Sequence, residues 1–156
     1  MKEIGYFKSP IGFIEYTYEF NKLYSMKIND LLEKDSKLYV SNSWINRQLD
    51  AYFKHELNLF NIEVGYLGAT PFQKSVFDAL KTIPYGQTRS YEEIAIQIGK
   101  PNAYRAVGQA CKKNPIGIVV PCHRVIGSNK KLTGYAGGLT LKAKLLSHEK
   151  AEFITK

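Results

Sequence analysis

Four residues in unbroken succession, Pro121-Cys122-His123-Arg124, close the apolar run Ile116-Gly117-Ile118-Val119-Val120. Proline cannot donate to a sheet ladder, so Cys122 falls at an element's edge or in a turn. A thiol with a pKa of about 8.5 is mostly protonated at neutral pH, and nearby positive charge or a paired imidazole raises the thiolate fraction. His123 and Arg124 are placed to contribute such charge. Successive side chains on an extended chain point to opposite faces, so His123 would act on the sulfur through a bridging water or around a turn. The other cysteine, Cys111, continues an apolar helical stripe and reads as core. Two cysteines make no disulfide framework, and the three scattered histidines give no zinc spacing, so neither metal nor cofactor is expected.

The elements that must hold this centre are legible on both sides of it. Thr70-Pro71-Phe72-Gln73 is a capping box with proline at the first helical position. Phe72, Val76, Phe77, Leu80 and Ile83 follow near one helical face. Ser90-Tyr91-Glu92-Glu93 is a second capping box, opening a short helix that closes at Gly99. Asn102 is expected to cap a third helix, with Ala103, Ala106, Val107, Ala110 and Cys111 as its buried stripe. The helical angle then leaves Arg105, Gly108, Gln109 and Lys112 facing outward. Two short helices joined by Gly99-Lys100-Pro101-Asn102 form a plausible helix-turn-helix, although that geometry also occurs in proteins that never touch DNA. Upstream, residues 1–40 alternate as strands do, and Ser43 to His55 reads as a helix capped by Ser43, with Trp44, Leu49, Tyr52 and Phe53 on one face. The expected class is α+β: a small N-terminal antiparallel sheet with a helix over residues 1–67, then a mostly helical domain containing the helix-turn-helix over residues 68–156.

Charge separates the same two regions. Residues 1–67 carry eight Lys/Arg and nine Asp/Glu, whereas residues 68–156 carry fourteen and five. The whole of the net +8 therefore comes from the second region, as a surface that meets polyanions requires, though a Lys-rich surface also serves solubility. No apolar run is long enough to span a membrane, and the start lacks the apolar stretch of a signal peptide, so a cytoplasmic location is expected.

Pro121-Cys122-His123-Arg124-Val125 resembles the active-site motif of the methylated-DNA–protein-cysteine methyltransferases, or 6-O-alkylguanine-DNA alkyltransferases. The likeness extends through Ile83-Pro84-Tyr85-Gly86, Arg105-Ala106-Val107-Gly108, Asn114-Pro115 and Gly134-Tyr135-Ala136-Gly137-Gly138-Leu139 to Leu145-Leu146-Ser147-His148-Glu149. It is strong over residues 68–152 and weaker at Ser9-Pro10-Ile11-Gly12 and Gln48-Leu49-Asp50-Ala51-Tyr52-Phe53.

The resemblance implies that Cys122 accepts the alkyl group, that His123 is a base acting through water, and that Glu149 orients it. It implies that Asn114 braces the turn, that Tyr91 stands beside the guanine, and that Tyr135 and Ala136 wall the base pocket. The main chain at Cys122 and Val125 would read the guanine amino group. Arg105 would enter the duplex where the damaged nucleotide leaves, with Tyr104, Gly108, Gln109, Lys112 and Arg124 also meeting DNA. The implied partner is double-stranded DNA containing alkylated guanine, met by a monomer.

Tyr104 departs from the family's usual small residue, and its ring is expected to fold back and bury against the domain. Gln109 stands where glycine is frequent, and Gly117 where some members have proline. A lesion-binding module without efficient transfer and an ordinary Cys-His hydrolase are the competing readings. The hydrolase lacks an oxyanion-hole motif and leaves the charge split unexplained.

Overall fold

The computed structural model describes residues 2–29 and 41–155, in two compact units. Met1–Leu67 with Pro115–Val119 form the first, and Gly68–Asn114 with Val120–Lys156 the second. A cut at residue 67 separates the units except for Pro115–Val119, which belongs with the first. Of the strand-like alternation expected over residues 1–40, residues 30–40 lie outside the described residues.

In the first unit, β1 (Glu3–Ser9), β2 (Gly12–Glu19) and β3 (Lys22–Asn29) form an antiparallel meander. Ile14, Tyr16 and Tyr18 alternate onto the buried face of β2, the period of two that a half-buried strand demands. The sheet is not wholly antiparallel: β4 (Glu63–Val64) joins β3 in parallel, and Ile116 bridges Met26 in the same sense. Helix α1 (Ser43–Phe53) buries Ile45, Leu49, Tyr52 and Phe53, and Tyr16 donates to Asn46 Oδ1 at 2.7 Å. Its cap is Asn42, whose side chain accepts from the Ile45 amide, not Ser43. Trp44, expected on the buried face, is exposed, with its indole N–H donating to the Asn61 carbonyl at 3.0 Å.

In the second unit, α2 (Pro71–Leu80) and α3 (Tyr91–Gln97) both begin with complete reciprocal capping boxes, Thr70 with Gln73 and Ser90 with Glu93. Helix α4 (Tyr104–Lys112) packs on both. Residues 98–103 join α3 to α4, with Gly99 in the left-handed region at φ +80°. The cap of α4 is Ala103 and makes no side-chain hydrogen bond, so Asn102 does not take that place. Val107, Ala110 and Cys111 are buried as expected, whereas Ala106 is exposed. After a 3-10 turn at Cys122–Arg124, β6 (Val125–Ile126) pairs in parallel with β5 (Arg89–Ser90). Helix α5 (Leu139–His148) closes the unit. Gly138 precedes it at φ +96°, which only glycine adopts cheaply.

Candidate active site

Cys122, His123 and Arg124 occupy one tight 3-10 turn whose three side chains are all buried. The turn places His123 and Arg124 on the same carboxylate, Glu149, which caps the C-terminus of α5. His123 Nε2 lies 2.9 Å from Glu149 Oε2. An ionised carboxylate only accepts, so Nε2 carries the proton and Nδ1 holds the lone pair. That Nδ1 is buried and has no hydrogen-bond partner in the protein. Burial pushes the His123 pKa down, against the opposing pull of Glu149, so the ring is neutral and basic at Nδ1.

Arg124 grips the same carboxylate from its other side. Its Nε donates to Glu149 Oε1 at 2.8 Å, its Nη2 to Oε2 at 2.9 Å, and its Nη1 to the Ile83 carbonyl at 2.7 Å. Arg124 was expected to meet DNA; instead it is only 6% exposed, and this fork commits it to the interior. Burial alone would raise the Glu149 carboxyl. The contacts with His123 and Arg124 outweigh it and hold the group well below the usual carboxylate range.

The thiol itself is buried, and burial pushes its pKa up. Two groups work against that: a hydrogen bond from the Asn114 side chain and the positive charge of Lys142. Asn114 also donates to the Val120 carbonyl at 2.8 Å, while the Cys122 amide donates to that same carbonyl at 2.8 Å. The expected bracing of the turn by Asn114 thus has a geometric counterpart.

Lys142 was not anticipated. It is completely buried on α5, and its ammonium donates to the Thr133 carbonyl at 2.7 Å and to Tyr91 Oη at 3.5 Å. Burial lowers its pKa to about 8, while the two cysteine sulfurs pull it back up. Tyr91, the first residue of α3, accepts a 2.8 Å hydrogen bond from Thr133 Oγ1, and burial raises its pKa. Tyr91 is half-buried, and the sulfurs of Cys111 and Cys122 act electrostatically on both it and Lys142. Tyr135 is half-buried in the loop before α5, and its phenol is pushed well up by burial and by Cys122. Ala136 beside it is exposed, and Val125 is fully buried at the start of β6.

Arg105, Gln109 and Lys112 lie exposed along α4 as the helical angle requires. Gly108 does not face freely outward: it is half-buried, and a Cβ there would stand 3.7 Å from the Tyr91 ring. Nor does Tyr104 fold back and bury. It remains 45% exposed, with the Arg105 guanidinium 5.9 Å from its ring centre, a cation–π pair on the surface. Among the described residues no three His, Cys, Asp or Glu side chains converge as a metal site would need.

The second unit, with a buried cysteine backed by a histidine and a carboxylate, matches the model of the 6-O-methylguanine DNA methyltransferase DNA-binding domain over residues 71–151. A methylated-DNA–protein-cysteine methyltransferase of Methanosarcina acetivorans is 49% identical over 152 residues, covering 92% of this chain and 95% of its own. The crystal structure of the Mycobacterium tuberculosis O6-methylguanine methyltransferase has a TM-score of 0.84 at 43% identity, covering 100% of this chain and 97% of that one. A second M. tuberculosis structure, of the OGT protein in complex with DNA, has a TM-score of 0.84 at 45% identity and covers 95% and 93%. The chain belongs to the methylated-DNA–protein-cysteine methyltransferase family.

Proposed function

We propose that this chain repairs alkylated DNA by moving the alkyl group of 6-O-alkylguanine onto Cys122, once per molecule. The observation that carries the reading is the buried His123–Glu149 pair next to Cys122 in one 3-10 turn, with Nε2 held on Glu149 at 2.9 Å and the Nδ1 lone pair left unengaged within the protein. The target carbon is sp³ and bonded to the guanine 6-oxygen, and a thiolate is a strong nucleophile toward it. A water between the thiol and His123 Nδ1 carries the Cys122 proton to the imidazole, which Glu149 stabilises through Nε2, as in hydrolytic triads. Asn114 and the Lys142 ammonium favour the resulting thiolate. The sulfur–carbon bond forms as the carbon–oxygen bond breaks, and the electron pair passes into the guanine ring. Tyr91 donates its proton to a ring nitrogen, because guanine leaves poorly as an anion. The product is a thioether, which water does not cleave, so turnover ends there.

DNA is engaged through α3 and α4 as a helix-turn-helix docked in the minor groove. The target base must leave the stack, at a cost of a few kcal/mol. Arg105 fills the gap it leaves, and Tyr104, Gly108, Gln109 and Lys112 line the docking face. Phosphate contacts from the basic second region supply affinity in any sequence context. Tyr135 and Ala136 wall the base pocket, and the main chain at Cys122 and Val125 reads the guanine amino group. We place this work in the cytoplasm, by a single chain; no described helix is long and apolar enough to cross a membrane.

Mass spectrometry after incubation with a duplex bearing 6-O-methylguanine tests the reading. One added methyl on the peptide containing Cys122 is expected, lost in Cys122→Ala with DNA binding retained and kept in Cys111→Ala. Binding without any change in mass would overturn transfer and leave a lesion-binding protein.

A further inference from the structure

The mechanism asks Tyr91 to donate its proton toward the guanine, but a phenol can as readily turn that proton to a neighbour and accept from the base's side. What surrounds Tyr91 Oη settles the direction. Thr133 Oγ1 donates to it at 2.8 Å and Lys142 Nζ at 3.5 Å. An ammonium has donors only. With two donors on the phenolic oxygen, its own proton must point away from both.

The two donors also hold each other. Lys142 Nζ donates to the Thr133 carbonyl at 2.7 Å, so the residue whose hydroxyl holds Tyr91 is itself tied to α5. The Lys142 ammonium further lies 5.8 Å from the centre of the Tyr91 ring. Thr133, Lys142 and Tyr91 therefore close a triangle between the loop that precedes α5, the buried face of α5 and the first residue of α3.

We infer that Thr133 is a positioning residue for the transfer reaction: with its carbonyl held by Lys142, its hydroxyl occupies the acceptor side of Tyr91 Oη and directs the phenol proton at the guanine ring. The inference rests on the reading of Tyr91 as the group that faces the base. A donated hydrogen bond also stabilises phenolate relative to phenol, so Thr133 makes Tyr91 a better acid as well as an aimed one. The proton ledger stays balanced: Cys122 loses one to His123 through water, Tyr91 gives one to the guanine, and solvent restores the phenol after the base departs.

The experiment compares single-turnover rates of Thr133→Val, Thr133→Ser and the unaltered chain on a 6-O-methylguanine duplex and on free 6-O-benzylguanine. Valine keeps the shape and removes the donor; serine keeps the donor. Thr133→Val is expected to slow both substrates about tenfold, part of the ~10²–10⁴ that general-acid assistance typically supplies. Thr133→Ser should stay within about twofold. In a Tyr91→Phe background, Thr133→Val should add no further slowing, because the oxygen it acts on is gone. A loop rearrangement would slow both backgrounds alike, and that result overturns the inference. So does a Thr133→Val rate equal to the unaltered chain's. Thr133→Ala provides the same comparison if valine crowds the loop. Failure of the unaltered chain to alkylate Cys122 would instead overturn the proposed function.

Discussion

Replacing Arg124 with methionine keeps most of the aliphatic stem and removes three charge-assisted hydrogen bonds of 2.7–2.9 Å, two on Glu149 and one on the Ile83 carbonyl. Glu149 is then a buried carboxylate that keeps its 2.9 Å contact with His123 but has lost the guanidinium. Breaking one side of a buried pair costs about 3–5 kcal/mol, chiefly because the surviving charge is left uncompensated. A domain's stability is only about 5–15 kcal/mol, so Arg124→Met should remain folded when cool but unfold at much lower urea. The pH dependence gives a sharper signature. In the unaltered protein the Glu149 carboxyl lies below its ordinary 4.5, so its contribution is complete above that value and disappears as pH falls through the folded one. Without Arg124, two of the hydrogen bonds that hold the carboxyl down are gone, so its folded value rises toward the ordinary one and the stabilisation that the ionised form contributes shrinks. The deficit of Arg124→Met, measured by urea denaturation, should therefore be largest near neutral pH and shrink on acidification. A deficit under about 1 kcal/mol, or one that ignores pH, would refute the buried-fork account. DNA binding supplies an independent check. A lost phosphate contact lowers the slope of log affinity against log salt by about one, and Arg124→Met should leave that slope unchanged.

Arg105→Ala should slow repair of a duplex lesion far more than reaction with free 6-O-benzylguanine, which needs no base flipping; equal slowing on both would remove Arg105 from that task. Lys142 makes a prediction about stability: its folded pKa of about 8 lies below the ordinary 10.5, so the unfolded chain binds the proton through that window and stability rises with pH across it. Lys142→Met should lack that rise, and parallel denaturation curves for the two proteins at about pH 7.5 and about pH 10 would show that burial does not strain the lysine.

What could be read in advance was local in the chain. Both capping boxes are four-residue patterns whose partners lie three positions apart, and both form as written. The adjacent Cys122 and His123 announced themselves by type, and Glu149 by its motif. Arg124 defeated the same approach. Beside a reactive cysteine in a basic region it reads as a phosphate contact, but its partners lie 25 residues ahead at Glu149 and 41 behind at Ile83. Lys142 was hidden for a related reason. It sits three and four positions before Leu145 and Leu146 on the buried side of α5, so a charged residue interrupts the apolar stripe that would have revealed the helix. What buries it, Tyr91 and Thr133, is fixed by tertiary structure alone. At α4 the local pattern misled, because the cap passed from Asn102 to Ala103 and Ala106 turned to solvent.

Cys122 exposes only 6% of its surface. A nucleophile that is consumed by its first reaction could be exhausted by any electrophile able to reach it. Epoxides, quinones and simple alkyl halides dissolved in the cell would find little sulfur to attack, and a thiol kept mostly protonated by burial reacts slowly even with those that enter. On the proposed reading Cys122 meets its lesion as a base flipped out of DNA, which background reagents are not. The fraction of chains carrying a modified Cys122 would therefore record lesions encountered in DNA rather than general chemical exposure. Measured over a population of molecules, that fraction would serve as a dosimeter of genomic alkylation.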